Sequence, residues 1–380
     1  MEQNYAGGGK MNKTSIGVIF GGRSGEHDVS LKSAASIMEA IDRKKYEIVP
    51  IGITREGRWI AGNNPWKALQ EGCPEEDCFR AVPVTDPCNP GILLLEEEQG
   101  EMKTRHFIAL EVVFPVLHGP FGEDGTVQGL LELCGLPYVG SGVAGSAAGM
   151  DKVLMKQLFL QNCLPVGEFV YFKHWDWLEN PEAWKGRVKE EVSYPCFVKP
   201  ANLGSSVGIS KIYYEKDLGG ALEEAFKYDE KVVVEANIPG REIECSVLGD
   251  EKVEASLPGE VVPCNDFYDY KAKYIDDRSE LVIPAELSQD LKEKVQEYSI
   301  SAFKALEASG LGRADFFVDE KSGRIIVNEI NTLPGFTAIS MYPKLWEATG
   351  VSYVELVERL IQFAVKRYRR KSRLSTEPPV

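Results

Sequence analysis

Short apolar runs alternate with segments of helical spacing between residues 15 and 148 of the chain. Continuous apolar runs are typical of strands buried on both faces, and apolar residues three or four positions apart are typical of amphipathic helices. The pattern predicts, in order, strand 16–20, helix 30–41, strand 46–53, strand 110–117, helix 126–134 and a short strand 137–139. This βαβ rhythm predicts an α/β unit, residues 15–148, with a parallel sheet and helices on both of its faces.

An insertion interrupts this unit between residues 73 and 100. The segment is rich in proline and acidic residues, and it contains two short apolar runs at 81–84 and 92–95. Two such runs separated by turn residues predict a β-hairpin.

The pattern changes after Met150, where a helix at 152–162 is followed by three short strands at 196–199, 208–213 and 232–235. These elements predict a smaller α+β unit that covers residues 149–241. The fold class is therefore predicted as α/β plus α+β.

A third unit, residues 242–365, is predicted to contain antiparallel strands followed by C-terminal helices. Residues 1–14 include three consecutive glycines and predict a flexible tail, and residues 366–380 form a basic tail. A basic run at the end of a helix is usually solvated and complements the helix dipole, so we do not expect it to bind RNA or a membrane.

The composition, with 43% apolar and 27% charged residues among 380, is that of a globular protein with two or three domains. The net charge of -15 disfavours a general nucleic-acid binder, because an acidic surface repels phosphate backbones. An anionic substrate must therefore meet local positive side chains or a metal ion.

Three further features predict a cytoplasmic protein. No apolar run has the length of a membrane span, and residues 1–11 lack the apolar core of a secretory signal. The eight cysteines include no CxxC pair, which predicts reduced thiols and not a disulfide framework.

The most informative polar residues lie on a predicted antiparallel hairpin, residues 312–331. With the loop centred on Ser322, Asp315 lies opposite Glu329 and Arg313 lies opposite Asn331. Residues two apart share a face of a strand, so these four side chains are expected to form one polar patch. Two carboxylates and an amide oxygen suit Mg²⁺, although a charged, exposed sheet face with ordinary ion pairs has the same pattern.

Lys199 ends a predicted strand, and the small-residue loop 201–206 follows it. Such a loop is suited to covering phosphates with its N–H groups while the lysine supplies positive charge, although most Gly-Ser loops are simple turns. Lys152, at the start of the predicted helix 152–162, would add a second lysine. The chain contains no GxxxxGK[ST], so this is not a Walker A loop.

Two loops follow predicted strands of the first unit, at the edge where open α/β sheets bind ligands. In the first, Glu26 offers a carboxylate suited to an ammonium group, while Asp28 or Ser30 is a candidate helix cap. In the second, His118 lies at the carboxyl end of strand 110–117, where a lone histidine is either structural or part of a site. Neither loop contains GxGxxG, which disfavours a dehydrogenase.

The segment 259–277 is rich in aromatic and polar residues and reads as a long loop suited to a lid over the site. An ordinary surface loop is the alternative. So many aromatic side chains are costly to expose, which favours the lid.

Four motifs occur together and in order, and the chain resembles the D-alanine–D-alanine ligases from about Ile16 to about Phe363. The motifs are Gly-Gly-x-Ser-x-Glu-His-x-Val-Ser, His-Gly-x-x-Gly-Glu-Asp-Gly, Lys-Pro-x-x-x-Gly-Ser-Ser-x-Gly and Asn-Glu-x-Asn-Thr-x-Pro-Gly-Phe-Thr. The resemblance implies an ATP-grasp fold with an N-terminal parallel-sheet (pre-ATP-grasp) domain. It also implies a reaction in two steps. ATP phosphorylates the carboxylate of one D-alanine, and the amine of a second D-alanine attacks the acyl phosphate.

The resemblance also implies a role for each matching residue. ATP would be bound by Lys152, Lys199, Ser206, Glu235, Ile238, Glu242 and Lys273, and Mg²⁺ (with Mn²⁺ as a substitute) by Asp315, Glu329 and Asn331. Catalysis would involve Glu26, Ser205, Tyr274, Arg313 and Gly335, and the D-alanines would contact Glu26, His118, Arg313, Gly335, Ser340 and Met341. A homodimer and K⁺ activation are further expectations. One departure is Ala236, where several members carry lysine beside the adenine, so one adenine contact is in doubt.

Within the family, D-alanine–D-serine and D-alanine–D-lactate ligases are the alternatives. Tyr274 argues against the lactate type, which resembles this chain but carries histidine there. Met341 argues against both the lactate and the serine type, because arginine is usual at this position in those ligases. Because an apolar pocket rejects an added hydroxyl only modestly, some activity with D-serine is expected. A non-catalytic nucleotide-binding module is disfavoured by the intact acidic pair, both lysines and Arg313.

Overall fold

The computed structural model describes residues 13–72, 78–262 and 280–375. Three sheets follow one another along the chain, and the cleft described below lies between the second and the third. No helix in the described part of the chain is long and apolar enough to span a membrane.

The first sheet has seven strands in the order β6-β5-β4-β3-β2-β1-β7. The strands are β1 (Thr14–Gly21), β2 (Tyr46–Ile53), β3 (Trp59–Gly62), β4 (Cys78–Val84), β5 (Gly91–Glu98), β6 (Glu101–Ala109) and β7 (Val112–Val116). Only β2, β1 and β7 are parallel to one another, and the remaining pairs are antiparallel. The prediction of a parallel sheet is therefore wrong for its outer half. The hairpin predicted in the insertion is confirmed as β4–β5, and β6 extends it.

Helices cover both faces of this sheet, as predicted. The helices of the unit are α1 (His27–Ala40), α2 (Pro65–Glu71), α3 (Thr126–Leu133) and α4 (Val143–Met150). Leu31, Ala34 and Ile37 of α1 pack against the β1 side chains Val18 and Phe20. Val127 and Leu131 of α3 pack on the opposite face.

The second sheet has four strands in the order β10-β9-β11-β8. The strands are β8 (Phe169–Lys173), β9 (Cys196–Pro200), β10 (Ser210–Ile212) and β11 (Lys231–Ala236). The helices of this unit are α5 (Lys152–Gln161), α6 (His174–Glu179), α7 (Pro181–Arg187), the π-helical turn Val188–Val192, the short turn Glu215–Asp217 and α8 (Leu218–Ala225). Its sheet and α8 enclose a separate apolar core that includes Val198, Leu222 and Val234.

The third sheet has the order β15-β14-β12-β16-β17, and β13 also pairs with β12. Its strands are β12 (Arg241–Gly249), β13 (Val253–Ala255), β14 (Gly259–Val262), β15 (Glu280–Val282), β16 (Gly310–Asp319) and β17 (Arg324–Asn331). The helices are α9 (Gln289–Ala305), α10 (Met341–Thr349) and α11 (Tyr353–Lys371). The expectation of antiparallel strands followed by helices is confirmed.

The C-terminal helix α11 returns to the first sheet. Leu356, Leu360 and Ile361 join α1 and β7 in one apolar core, which also includes Leu311 of β16. A fully buried leucine stabilises the folded chain by roughly 1.5–3 kcal/mol, so this shared core ties the first unit firmly to the third. The basic end of α11 is also attached there, because the Arg367 guanidinium donates to the carbonyls of Tyr138 and Gly140.

Candidate active site

The hairpin β16–β17 has the predicted cross-strand pairs. Asp315 lies opposite Glu329, and Arg313 lies opposite Asn331. Phe316, however, pairs with Val327, so Asn328 is the extra residue of a β-bulge. The apolar side chains of Ala314 and Phe316 on the same strand point into a core. The alternation along β16 thus separates a buried apolar face from a polar one.

Arg313 is the centre of the polar face. Its Nε and Nη2 donate to the two oxygens of Asp315, each at 2.7 Å, and Nε also lies 2.9 Å from Oε2 of Glu244 on β12. The Asn331 amide donates to the same Asp315 carboxylate at 3.1 Å. Burial alone would lower the pKa of Arg313, but Asp315 and Glu244 outweigh it and raise the pKa, so the guanidinium stays charged.

Lysines of α5 and β9 form a positive cluster on the other side of the cleft. Lys199 lies 2.8 Å from Oε2 of Glu235, and Lys156 lies 3.4 Å from its Oε1. The Lys152 ammonium donates to the Leu203 carbonyl at 2.6 Å and so contacts the small-residue loop 201–206. Burial alone would raise the pKa of Glu235, but Lys156 and Lys199 outweigh it and lower the pKa to about 2.

A cleft of about 620 Å³ separates these positive and negative walls. The predicted residues that line it are Lys152, Lys199, Ser205, Ser206, Glu235, Ile238, Glu242, Asp315 and Glu329. Positive and carboxylate groups facing one another across a cleft suit a polyphosphate on one wall and a divalent cation on the other. The oxygens of Asp315, Glu329 and Asn331 are the donor types that Mg²⁺ prefers.

The small-residue loop 201–206 also contacts the first unit. The Ser205 hydroxyl donates to Oε1 of Glu26, as expected for two residues of one site. Helix α1 begins at His27 and not at residue 30, so Glu26 occupies its N-cap position. The Glu26 side chain forms no capping bond. The predicted capping role of Asp28 or Ser30 is therefore wrong. Asp28 pairs with Arg55 at 2.7 Å, and Ser30 lies inside the helix, where its hydroxyl accepts from Gly21.

His118 and Gly335 lie close to this loop. The buried His118 ring contacts the Leu333 carbonyl at 3.1 Å and the Ser33 hydroxyl at 3.2 Å, and burial lowers its pKa. His118 is thus a neutral imidazole that links the first unit to the turn containing Gly335. A Cβ added at Gly335 would lie 3.3 Å from Oγ of Ser340, so two of the predicted substrate contacts are adjacent.

Ser340 and Met341 open helix α10. The Ser340 hydroxyl accepts from the Thr337 N–H at 3.1 Å, which fixes the turn before the helix. Met341 is 6% exposed and packs with Val261 and Leu345. Its side chain therefore belongs to a small, buried apolar cluster.

The segment predicted as a lid is described only in part. Gly259–Val262 form the strand β14, so the prediction of a loop is wrong for these residues. The remaining residues, with the predicted Lys273 and Tyr274, lie outside the described residues.

Comparisons with known proteins agree on one family. Residues 15–141 match the family model "D-ala D-ala ligase N-terminus", and residues 158–362 match "D-ala D-ala ligase C-terminus". The chain belongs to the D-alanine–D-alanine ligase family. It is 48% identical to a D-alanine–D-alanine ligase from Natranaerobius thermophilus, over 97% of this chain and 99% of the relative. It is 50% identical to one from Heliobacterium modesticaldum, with the same shares covered.

Solved structures of the ligase family have the same fold. The D-alanine–D-alanine ligase from Coxiella burnetii superposes with a TM-score of 0.80 at 34% identity, covering 95% of this chain and 96% of that one. A D-Ala:D-Ser ligase from Enterococcus faecalis gives a TM-score of 0.82 at 35% identity, covering 93% and 100%. The resemblance and the ATP-grasp fold predicted from the motifs are confirmed.

Three charged residues of the site were not predicted from the sequence. Glu244 follows Glu242 by two positions, so strand alternation would have placed it on the same face. Lys156 follows Lys152 by four positions, so helical spacing would have placed both lysines on one side of α5. Glu123 lies in the motif His-Gly-x-x-Gly-Glu-Asp-Gly, but no role was predicted for it, because its proximity to Glu26 arises only on folding.

The buried Glu123 carboxyl is expected to make the stability of the protein depend on pH. The Gly119 N–H donates to its Oε2 at 2.6 Å. Burial and the charge of Glu26 raise the pKa of Glu123 from 4.5 to about 8. The folded protein thus keeps a proton that the unfolded chain releases, and the free energy of unfolding falls as pH rises between these two values. We expect Glu123→Gln, which cannot ionise, to melt about 2–4 °C above wild type at about pH 9.

The measurement is thermal unfolding of both proteins between about pH 5 and about pH 9. The two melting temperatures should converge at the acidic end, where Glu123 is protonated. Glu97→Gln, on the exposed end of β5, is the control and should follow wild type at every pH. A Glu123→Gln curve parallel to that of wild type would contradict the raised pKa.

Proposed function

We propose that this protein joins two D-alanines to D-alanyl-D-alanine at the expense of ATP, for peptidoglycan precursor synthesis in the cytoplasm. The observation that carries the proposal is the polarised cleft, with Lys152 and Lys199 on one wall and Asp315 and Glu329 on the other. Two further contacts support it, because Ser205 of this cleft contacts Glu26 and Arg313 contacts the cleft residue Glu244.

In the first step, a carboxylate oxygen of one D-alanine attacks the γ-phosphorus of ATP. The bond between the γ-phosphorus and its bridging oxygen breaks, and ADP leaves. Lys152 and Lys199 would balance the phosphate charge, and Glu242 would contact the ribose. Asp315, Glu329 and Asn331 would hold Mg²⁺, which supplies charge neutralisation on the phosphates when bound. The Glu26 carboxylate would hold the ammonium group of this D-alanine.

In the second step, the amine of the other D-alanine attacks the acyl carbon of the D-alanyl phosphate. The tetrahedral intermediate carries an oxyanion, towards which the Arg313 guanidinium and the Gly335 N–H would donate. The C–O bond to phosphate then breaks, inorganic phosphate leaves, and the amine loses a proton. Ser340 and the Met341 backbone would receive the carboxylate of this second substrate.

The test is ADP formation by the purified protein with Mg²⁺, ATP and either D-alanine alone or D-alanine paired with D-serine or D-lactate. We expect ADP formation that depends on D-alanine, with D-alanyl-D-alanine as the main product by mass spectrometry. Some D-alanyl-D-serine is expected, because an apolar wall discriminates poorly against one hydroxyl. ADP formation that is independent of D-alanine, or its absence, would contradict the proposal.

Additional parts of the proposal concern assembly and ions. We propose a homodimer, activation by K⁺, and Mn²⁺ as a substitute for Mg²⁺, each on the likeness to the family. Light scattering of the purified protein measures the oligomeric state. The same ADP assay with and without K⁺, and with Mn²⁺ in place of Mg²⁺, measures the two ion effects.

A further inference from the structure

Lys156 is a buried lysine for which the proposed reaction has no use. It lies on α5, one turn after Lys152, and its side chain is 4% exposed. Its ammonium lies 3.4 Å from Oε1 of Glu235 and 3.3 Å from the carbonyl of Asn328, the bulged residue of β17. Burying a lysine is costly unless its charge is paired, so its place beside Glu235 requires an explanation.

Two lysines share the Glu235 carboxylate. Lys156 contacts Oε1, and Lys199 contacts Oε2 at 2.8 Å. Glu235 is 9% and Lys199 13% exposed, so water screens these charges weakly. Removing the only cation from a buried carboxylate is strongly unfavourable. A second cation keeps the carboxylate paired when the first one leaves.

The two lysines differ in their surroundings. Both line the cleft, but Lys156 also donates to the Asn328 carbonyl of β17, which fixes its position between α5 and the third sheet. Under the proposed function, Lys199 has to turn from Glu235 towards the phosphates of ATP. Among the described residues, Lys156 would then be the cation that still forms an ion pair with the buried Glu235 carboxylate.

We propose that Lys156 is a positioning residue, the permanent counter-ion that keeps Glu235 ionised and in place while Lys199 leaves it for the nucleotide phosphates. This inference rests on the proposed function, because the exchange of partners occurs only when a polyphosphate enters the cleft. Lys156 acts through Glu235, because its ammonium is held by the Glu235 carboxylate and the Asn328 carbonyl. The low pKa of Glu235, about 2, reflects burial outweighed by Lys156 and Lys199, which agrees with two cations on one carboxylate.

The test compares binding of Mg²⁺–AMPPNP and of adenosine to wild type and to Lys156→Met, without D-alanine. We expect the Met variant to weaken AMPPNP binding about 10–100-fold, because Lys199 can no longer leave Glu235 without cost. Adenosine has no phosphates and does not draw Lys199 away, so its Kd should change less than about threefold. Calorimetry measures AMPPNP binding, and an NMR titration measures adenosine binding.

A double-mutant cycle isolates the contact with Glu235. In the Glu235→Gln background, which removes the carboxylate charge, adding Lys156→Met should change the Kd for AMPPNP by less than about threefold. This comparison remains possible if Lys156→Met alone fails to fold. Lys156→Arg keeps the charge and should bind AMPPNP within about fivefold of wild type. Lys227→Met, which removes an exposed lysine of the same unit, is the control for loss of one charge.

Equal losses for AMPPNP and adenosine would overturn the inference, since they indicate a distorted pocket. Unchanged AMPPNP binding in Lys156→Met, or an undiminished loss in the Glu235→Gln background, would also overturn it. Failure of the proposed function is separate and shows as a wild-type protein that forms no ADP with D-alanine.

Discussion

Glu329→Gln is expected to lower the rate of D-alanine-dependent ADP formation by at least about 10²–10³-fold. Glu244, Asp315 and Glu329 all act on the Arg313 guanidinium, and this one charge leaves an excess of carboxylate charge that a divalent ion would balance. Glutamine keeps the size of the side chain and loses the charge, which weakens the proposed Mg²⁺ site directly. The rate should recover in part when Mg²⁺ is raised, because the variant binds the ion less tightly.

The measurement is the initial rate of ADP formation over a range of Mg²⁺ concentrations. Asp319→Asn is the matched control, because Asp319 lies on the same strand as Asp315 but beside the hairpin turn, where it contacts Ser322. The control should retain the wild-type rate and Mg²⁺ dependence. A near-normal rate in Glu329→Gln would remove Glu329 from the proposed ligands.

Arg313→Lys is expected to lower kcat by about 10²–10³-fold while the KM for ATP changes less than about fivefold. Arginine contacts Asp315 through two nitrogens and Glu244 through one of them, and lysine has no planar fork to do so. A displaced cation would no longer point at the oxyanion, whose charge develops only in the transition state. Nucleotide binding precedes that state and should be little affected.

Steady-state kinetics with ATP and with D-alanine test this expectation. Because lysine keeps the positive charge among the carboxylates, the melting temperature should remain within about 4 °C of wild type. Arg324→Lys, an exposed arginine of the same hairpin, should leave both constants unchanged. A raised KM for ATP with normal kcat would assign Arg313 to nucleotide binding and contradict its proposed role.

The hairpin of the acidic face was predictable because its two strands are joined by turn residues and alternate regularly. The hairpin is nevertheless centred between Lys321 and Ser322, half a residue before the predicted centre, because Asp319 pairs with Arg324. The bulge at Asn328 compensates for this displacement and restores the predicted pair of Asp315 with Glu329. The pairing of Asp315 with Glu329 therefore depends on a bulge that no local sequence pattern predicts.

Other features could not be predicted from local patterns. The contact of Lys156 with Glu235 joins a helix to a strand about 80 residues later, and it exists only after folding. The first sheet was predicted as parallel because the strand β3, which joins the predicted hairpin to β2, was not predicted, so nothing placed the hairpin in this sheet. The start of α1 was misplaced because Glu26 occupies the N-cap position without a side-chain bond, so no capping residue marked it.

The apolar core shared by α1, β7 and α11 has a mechanical consequence. It holds the first and third units together as one body, whereas the sheet of the central unit packs around its own core. A displacement of the central sheet would therefore carry Lys199 away from Asp315 and separate Ser205 from Glu26. Arg313, His118 and Gly335 would keep their spacing, so a nucleotide could exchange without disturbing the proposed site of peptide-bond formation.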